Sequence, residues 1–357
     1  MKKIIFNLIF SVLYLSNFGQ VPSYYQSINL NLTGNLLKTE LSNLIISTHQ
    51  NLIPYTSTSS VDTWDVIKSS DIYSSDPSKV MLVYGYNDND AVVENDRTRD
   101  KTLSCHSGSC FGLWNREHVF PKSLASPNLV TNSPGPGTDV HNLRACDYTT
   151  NSNRGNKKYN LGNGNSGSTN QGDWYPGDEW KGDVARIIMY MFLRYPNQCE
   201  ATSVGQGTQQ YSPNGDIPDL FLDWNQDDPV SNFEELRNEE IFTAQGNRNP
   251  FIDNPYLATL IWSGPNAENK WNFNSTNNKY NHAIEVAYNS YENTISLNHI
   301  ENENLKTVEL LNLNGQIIEI FYGSNFSLPN ISKGIYFIKL NLKNEVLIRK
   351  IFVSPPF

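Results

Sequence analysis

The apolar pattern of this chain changes period near residue 265, and no single fold accommodates both halves. Before that point apolar residues recur at helical spacing. Leu36, Leu37, Leu41, Leu44 and Ile45 do so, and Val184, Ile187, Ile188, Met191 and Phe192 form a second stripe that Pro196 closes. Helices are expected over 34–49, in "TWDVIKSSDIY", in "EWKGDVARIIMYMFLRYP", and once or twice in "IPDLFLDWNQDDPVSNFEELRNEEIFTAQG", with "NPFIDNPYLATLIW" closing the unit near 262. Beyond the break, "KTVELLNLNGQIIEIFYG" and "GIYFIKLNLKNEVLIRKIFV" alternate as strands do. Asn314-Gly315 marks one hairpin turn and Lys343-Asn344 another. An Asn-, Ser- and Lys-rich stretch lies between. The expected architecture is α+β: a mostly helical domain over 20–265, a linker over 266–288 and a small all-β domain over 289–357.

The first nineteen residues form a separate case. Lys2 and Lys3 precede an apolar run from Ile4 to Leu15, and small or polar residues follow. That is the layout of a secretory signal peptide, too short for a spanning helix. Export and no stable membrane insertion are therefore expected, and a monomer. Export also allows disulfides between the four cysteines. "CHSGSC" closes a short loop, which makes Cys105–Cys110 the easiest pair and leaves Cys146–Cys199. A zinc site including His106 lacks the paired ligand doublets that such sites use.

The densest chemistry starts at "WNREHVFPKS". "WNREHVF" is expected as a short strand, and "VHNLRACDYTTNSNRG" as a helix ending at Gly155. Neighbouring strand residues face opposite sides, so Glu117 and His118 suit two different tasks better than one shared metal. A lone histidine is more often structural, but this one has a second polar cluster in reach of the same chemistry: Asp139, His141, Asn142, Asp147, Asn151, Asn153, Arg154 and Asn156. An amide oxygen with a carboxylate suits a hard cation that keeps most of its water. A neutral histidine can take a proton from an attacking water. Residues 105–160 hold six cations (Arg116, Lys122, Arg144, Arg154, Lys157, Lys158) against Glu117, Asp139 and Asp147, so the segment is +3 in a chain of net charge -9. A basic focus in an acidic body fits a polyanion bound at one cleft.

"WNREHVFPKS", "DVHNLRACDYTTNSNRGNKKY", "EWKGDVARIIMYMFLRY" and "ELRNEEIFTAQGNRNPFIDNP", in this order, resemble the bacterial endonuclease I family over roughly residues 25–265. The resemblance implies a ββα-metal (His-Me finger) core within the helical domain. It also implies a secreted, Mg²⁺-dependent endonuclease with little sequence preference, which cuts DNA and often RNA to leave 5′-phosphate ends. Mn²⁺ or Ca²⁺ would be substitutes. It maps the general base onto His118 and the metal ligands onto Glu117 and Asn151. Some relatives hold the scissile phosphate with an arginine in the loop before "D-x-H-N-L". Here that loop, "SPNLVTNSPGPGT", has none, so Arg154 and Arg116 are the candidates for that role. Asp139 and His141 are expected to support the site, and Asp183 and Arg186 to be structural. "DWNQDD" lacks the glycine and closing glutamate of a calcium loop. The last domain, through "VELLNLNGQII", "SLPNISKGIYFIKL" and "VLIRKIFV", resembles a type IX secretion sorting domain, which implies the secretion machinery as a partner. Two rival readings are a nuclease-derived module that binds nucleic acid without cutting it and an exported glycan binder.

Overall fold

The structure, a computed structural model, describes residues 20–271, 285–289, 292–298, 305–313, 315–343 and 346–353. The expected signal peptide, residues 1–19, and the positions Asn314 and Asn344 lie outside the described residues. The chain divides into two compact units, the first reaching Trp271 apart from Leu30–Leu32, which group with the second unit beyond it.

In chain order the first unit contains α1 (Gly34–Thr48), α2 (Thr63–Ser70), β1 (Lys79–Met81), β2 (Thr98–Asp100), β3 (Trp114–His118), β4 (Leu143–Asp147), α3 (Tyr148–Arg154), β5 (Gly167–Ser168), β6 (Trp174–Tyr175), α4 (Lys181–Arg194), α5 (Asp219–Asp227), α6 (Asn232–Gln245), α7 (Pro250–Asp253) and α8 (Tyr256–Trp262). Its strands pair only as short antiparallel ribbons, β1 with β2, β3 with β4 and β5 with β6. Local signals start several helices. Asp62 accepts from the Trp64 and Asp65 amides while Asp65 reaches back to the Asp62 amide, and Ser231 with Glu234 repeats this capping box on α6. Gly246 ends α6 at φ 89°, where a Cβ would also meet the Thr48 carbonyl at 2.7 Å, so glycine is required twice over.

Helix α4 departs from the expected single stripe: every residue from Gly182 to Leu193 is buried. It is the central helix, packed by α1, α5 and α7. Its two charged interior residues are neutralised in place. Asp183 accepts from Arg144 at 2.9 Å, and the Arg186 guanidinium grips both carboxylate oxygens of Glu234 at 2.6 and 2.8 Å. A second buried knot holds β4. Asp71 accepts from Arg144 Nε, the Ala145 amide and Arg237 Nε, and Arg237 also donates to the carbonyls of Val140 and Leu143. Charges buried this deeply are tolerable only when each is paired and hydrogen-bonded.

Three expectations need correcting. "VHNLRACDYTTNSNRG" is not one helix: a 3-10 turn over Val140–Asn142 leads into β4, and α3 begins only at Tyr148. Pairing with β3 and the grip of Asp71 and Arg237 outweigh local helix propensity there. The expected linker begins too early, because Ala267 and Trp271 are buried. The Tyr256 amide donates to the Glu268 carbonyl at 3.0 Å and the Lys270 amide to Asn254 Oδ1 at 3.0 Å. Cys105 and Cys110 are bonded as expected, but Cys146 and Cys199 are free, buried thiols.

The second unit contains β7 (Glu285–Asn289), β8 (Thr294–Asn298), β9 (Leu305–Leu311), β10 (Ile317–Phe321), β11 (Asn325–Ser327), β12 (Gly334–Leu342) and β13 (Val346–Val353). They form a four-stranded antiparallel sheet, β10-β9-β12-β13, and a three-stranded one, β11-β8-β7. Alternate residues turn inward: Val308 and Leu310 from β9, Ile338 and Leu340 from β12, and Ile295 and Leu297 from β8 share one core. The β9–β10 and β12–β13 pairs sit where the two turns were expected. No helix among the described residues is long and apolar enough to cross a membrane.

Candidate active site

Strands β3 and β4 are antiparallel with Glu117 opposite Arg144 and His118 opposite Leu143, and α3 follows β4 without a loop. Asp147 makes that junction. It is the last residue of β4, its Oδ1 caps α3 by accepting from the Thr150 amide at 2.9 Å, and its Oδ2 pairs with buried Arg99 at 2.6 Å. The junction carries Asn151 back onto β3, where its Nδ2 donates to Asn115 Oδ1 at 2.8 Å and to the Arg116 carbonyl at 3.4 Å. Asn115 and Glu117 share one face of β3. The Arg116 carbonyl can only accept, so it fixes which end of the amide is nitrogen and leaves Asn151 Oδ1 without a hydrogen bond among the described residues.

Glu117 is 2% exposed. Its Oε1 accepts from the Tyr84 hydroxyl at 3.0 Å and lies 3.1 Å from an Arg154 nitrogen, while Oε2 has no hydrogen bond among the described residues. Burial raises its pKa, opposed by Arg154 and the Tyr84 hydrogen bond. Tyr84 is held in turn by Tyr159, whose hydroxyl lies 2.8 Å away and donates to the Val119 carbonyl. One oxygen of Glu117 is thus anchored and the other kept available.

His118 faces differently. Its Nε2 lies 2.8 Å from the Gly137 carbonyl, and its ring stacks on Tyr55. A carbonyl cannot donate, so Nε2 carries the proton and Nδ1 carries the lone pair. Burial lowers the ring's pKa to about 3, so the imidazole is neutral. Gly137 is placed by close packing: a Cβ there would sit 2.0 Å from the Val130 carbonyl oxygen. The residue after next, Asp139, anchors this loop, accepting from Tyr190, Tyr195, Gln245 and the His141 amide. His141 is buried against Tyr190 with Nε2 3.3 Å from the Asn247 carbonyl. Asn142 bridges to the strand exit, its Oδ1 accepting from the Phe120 amide and its Nδ2 donating to the Phe120 carbonyl. Asn153 and Asn156 are exposed on α3 and just beyond it.

The two arginines expected at the phosphate are differently employed. Arg154 is 0% exposed and donates to the carbonyls of His118 and Val119 at 3.0 and 2.8 Å beside Glu117. It has no surface to offer a ligand. Arg116 lies between the rings of Tyr55 and Trp64, 3.4 and 3.9 Å from their centroids, with its nitrogens on the Tyr55 carbonyl and the hydroxyls of Thr63 and Thr56. Sequence reading missed Tyr84, Tyr159, Asn115 and Gly137. Only Gly137 carried a signal, its place in the Pro/Gly-rich "SPGPGTD".

A carboxylate anchored through one oxygen and a neutral histidine stand next to each other on β3, within a β3–β4–α3 frame. The chain matches the Endonuclease I family over residues 33–256 and the secretion system C-terminal sorting domain family over 289–354. It belongs to the Endonuclease I family, and is a secreted nuclease, a phosphodiester hydrolase. Among its relatives is an extracellular ribonuclease of Bacillus subtilis (strain 168), 36% identical over 258 residues, which span 69% of this chain and 80% of the relative. An extracellular ribonuclease of Bacillus amyloliquefaciens is 35% identical over 257 residues, 68% of this chain and 79% of that protein.

Proposed function

We propose that the first unit is a divalent-metal-dependent endonuclease of the ββα-metal type. It cuts DNA and RNA by the same attack of water on phosphorus, with His118 as general base and Glu117 and Asn151 as the protein ligands of Mg²⁺. The observation that carries this reading is the division of labour between neighbours. His118 spends Nε2–H on the Gly137 carbonyl and keeps Nδ1, while Glu117 and Asn151 each keep one oxygen. Among the described residues no three His, Cys, Asp or Glu side chains gather into an all-protein metal cage. One carboxylate and one amide oxygen fit a hard cation that retains its waters and takes phosphate oxygens as further ligands. Bound there, the cation stabilises the charge that develops on the phosphate and the leaving oxygen.

In this reading Nδ1 takes a proton from water as the water oxygen bonds to phosphorus. The bond from phosphorus to the 3′ oxygen breaks and that oxygen takes a proton from a solvent water, giving 5′-phosphate and 3′-hydroxyl ends. The phosphate's negative charge beside the ring favours the protonated imidazole, so substrate binding strengthens the base. Arg154 holds Glu117 in place and does not contact substrate. Because the 2′-hydroxyl takes no part, the chemistry tolerates either sugar, in line with the ribonuclease names of the two Bacillus relatives.

Plasmid DNA and a defined RNA, incubated with purified protein in Mg²⁺ and in EDTA, test this. Cleavage of both in Mg²⁺, none in EDTA, and a loss of about 10²–10⁴-fold in His118→Ala are expected. Undiminished cutting in EDTA, or 2′,3′-cyclic phosphates on the RNA products, would overturn it.

A further inference from the structure

Alternation along β3 turns Trp114, Arg116 and His118 to one side and Glu117 to the other. Two rings from earlier in the chain cover the His118 side. Trp64, near the start of α2, meets the Trp114 ring edge-on with centroids 5.4 Å apart, and its centroid lies 3.9 Å from the Arg116 guanidinium carbon. Tyr55, from the loop ahead of α2, has its centroid 3.4 Å from the same carbon. It also stacks on the His118 ring, with centroids 5.7 Å apart and planes 27° apart. Trp64, Arg116, Tyr55 and His118 are thus four planar groups, each against the next, and the last is the proposed base.

Tyr55 is held through its backbone. Thr63, the first residue of α2, donates from its hydroxyl to the Tyr55 carbonyl at 2.9 Å and from its amide to the Pro54 carbonyl at 3.1 Å. The same hydroxyl accepts from Arg116 at 2.8 Å, and Arg116 donates to the Tyr55 carbonyl as well. Asp62, the cap of α2, accepts from the Ser57 amide at 2.8 Å and so closes the loop that follows Tyr55. The His118 ring is held less completely. Its one hydrogen bond among the described residues runs from Nε2 to the Gly137 carbonyl. The χ2 torsion of a histidine has broad wells, so a single bond at the ring edge leaves the plane loosely set. The lone pair on Nδ1 points within that plane, so the group that fixes the plane also aims the base.

We propose that Tyr55 is a positioning residue for the nuclease reaction: its ring, braced by Arg116, sets the plane of the His118 imidazole and aims Nδ1 at the attacking water. This rests on the nuclease reading above. The face of the Tyr55 ring carries the task, and its hydroxyl is not needed for it. Arg116 serves by backing that ring.

The test uses the full chain as wild type, Tyr55→Phe and Tyr55→Met, each with His118 present and in the His118→Ala background, assayed in Mg²⁺ on a short DNA duplex. Methionine fills the space of the ring but has no plane. Tyr55→Met should lower kcat by about 10²-fold with KM changed little, the cost of a misaimed group. Tyr55→Phe should keep most of the kcat. In His118→Ala, Tyr55→Met should change the remaining rate by less than about twofold, because the ring it orients is gone. A residue that only supports the fold would lower both backgrounds alike. If far-UV circular dichroism shows Tyr55→Met unfolded, Thr63→Val takes its place. That variant keeps the ring, removes one of the two donors on the Tyr55 carbonyl, and should lower kcat about tenfold only when His118 is present. A kcat within about threefold of wild type in the variant used, an equal loss in Tyr55→Phe, a raised KM in place of a lowered kcat, or equal losses in the two backgrounds overturns the proposal while leaving the nuclease reading intact. A wild type that cuts in EDTA overturns that reading and this one together.

Discussion

At the scale of single residues, Glu117 and His118 show how neighbours can be made unlike. Each is buried, yet Glu117 is surrounded by donors and His118 by one acceptor. Removing donors should therefore harm Glu117 selectively. Tyr84→Phe deletes only the hydroxyl on Oε1. It should cost about 1 kcal/mol in urea denaturation and, with Glu117 in its proposed role as metal ligand, raise the Mg²⁺ needed for half-maximal activity about tenfold, as loss of a supporting partner does. Arg154→Ala leaves a buried carboxylate without its cation and should cost about 3–5 kcal/mol, seen as an early urea midpoint. Glu117 and His118 stood out in the sequence because the proposed chemistry needs those residue types. Tyr84 did not: it lies 33 positions before Glu117 in the chain, and nothing in "MLVYGYN" separates a tyrosine that bonds a carboxylate from one that fills a core. The employment of Arg116 and Arg154 was hidden for the same reason. A guanidinium at a phosphate and one sandwiched between rings look alike until the rings are placed.

At the scale of elements, the β4–α3 junction and the loop at Gly137 are the joints that set the geometry. Asp147→Ala removes the cap of α3 and one of the two carboxylates on Arg99, which keeps Asp96 at 3.1 Å. The cap is worth about 1 kcal/mol and the lost pair adds to it, so thermal unfolding should begin earlier. Gly137→Ala is expected to act on rate. A Cβ 2.0 Å from the Val130 oxygen forces the loop to move, and a shift near 1 Å in the group that orients His118, the proposed base, should cost about 10²-fold in kcat, measurable on plasmid DNA with the melting temperature as a control. The helices α1, α2, α4 and α6 could be read from spacing and caps. Strand β4 could not, because "LRACD" has no alternation of its own and is held extended by partners from α2 and α6. The Asp147 cap was visible in "DYTT" once the strand before it was known.

At the scale of the whole molecule, the first compact unit extends to Trp271, past the change of period near residue 265, because local polarity does not reveal backbone hydrogen bonds already made. The first unit also carries buried neutral histidines. Burial lowers the pKa of His118 and of His141 to about 3 and lowers that of His49. The sign follows from proton counting. Below about pH 6.5 the unfolded chain protonates these rings while the native state does not, so stability present at pH 7 is lost as pH falls from 6.5 toward 3. Melting temperature should be nearly flat between pH 7 and 8 and drop below pH 6. The slope should correspond to as many as two protons from His118 and His141, reduced by about one in His141→Gln.

The two free thiols have a consequence for how the protein must be made. Cys146 and Cys199 are buried and their pKa values are raised, so in the finished molecule they are protonated and unreactive. Before folding they are ordinary thiols in an exported chain that also carries Cys105 and Cys110. Oxidants outside the cell can then join any of the four, and a bond to Cys146 would obstruct the closing of β4, in which it is buried. Maturation is therefore a race between collapse of the core and oxidation, and the five-residue separation of Cys105 and Cys110 lets the correct bridge form without waiting for that race to finish.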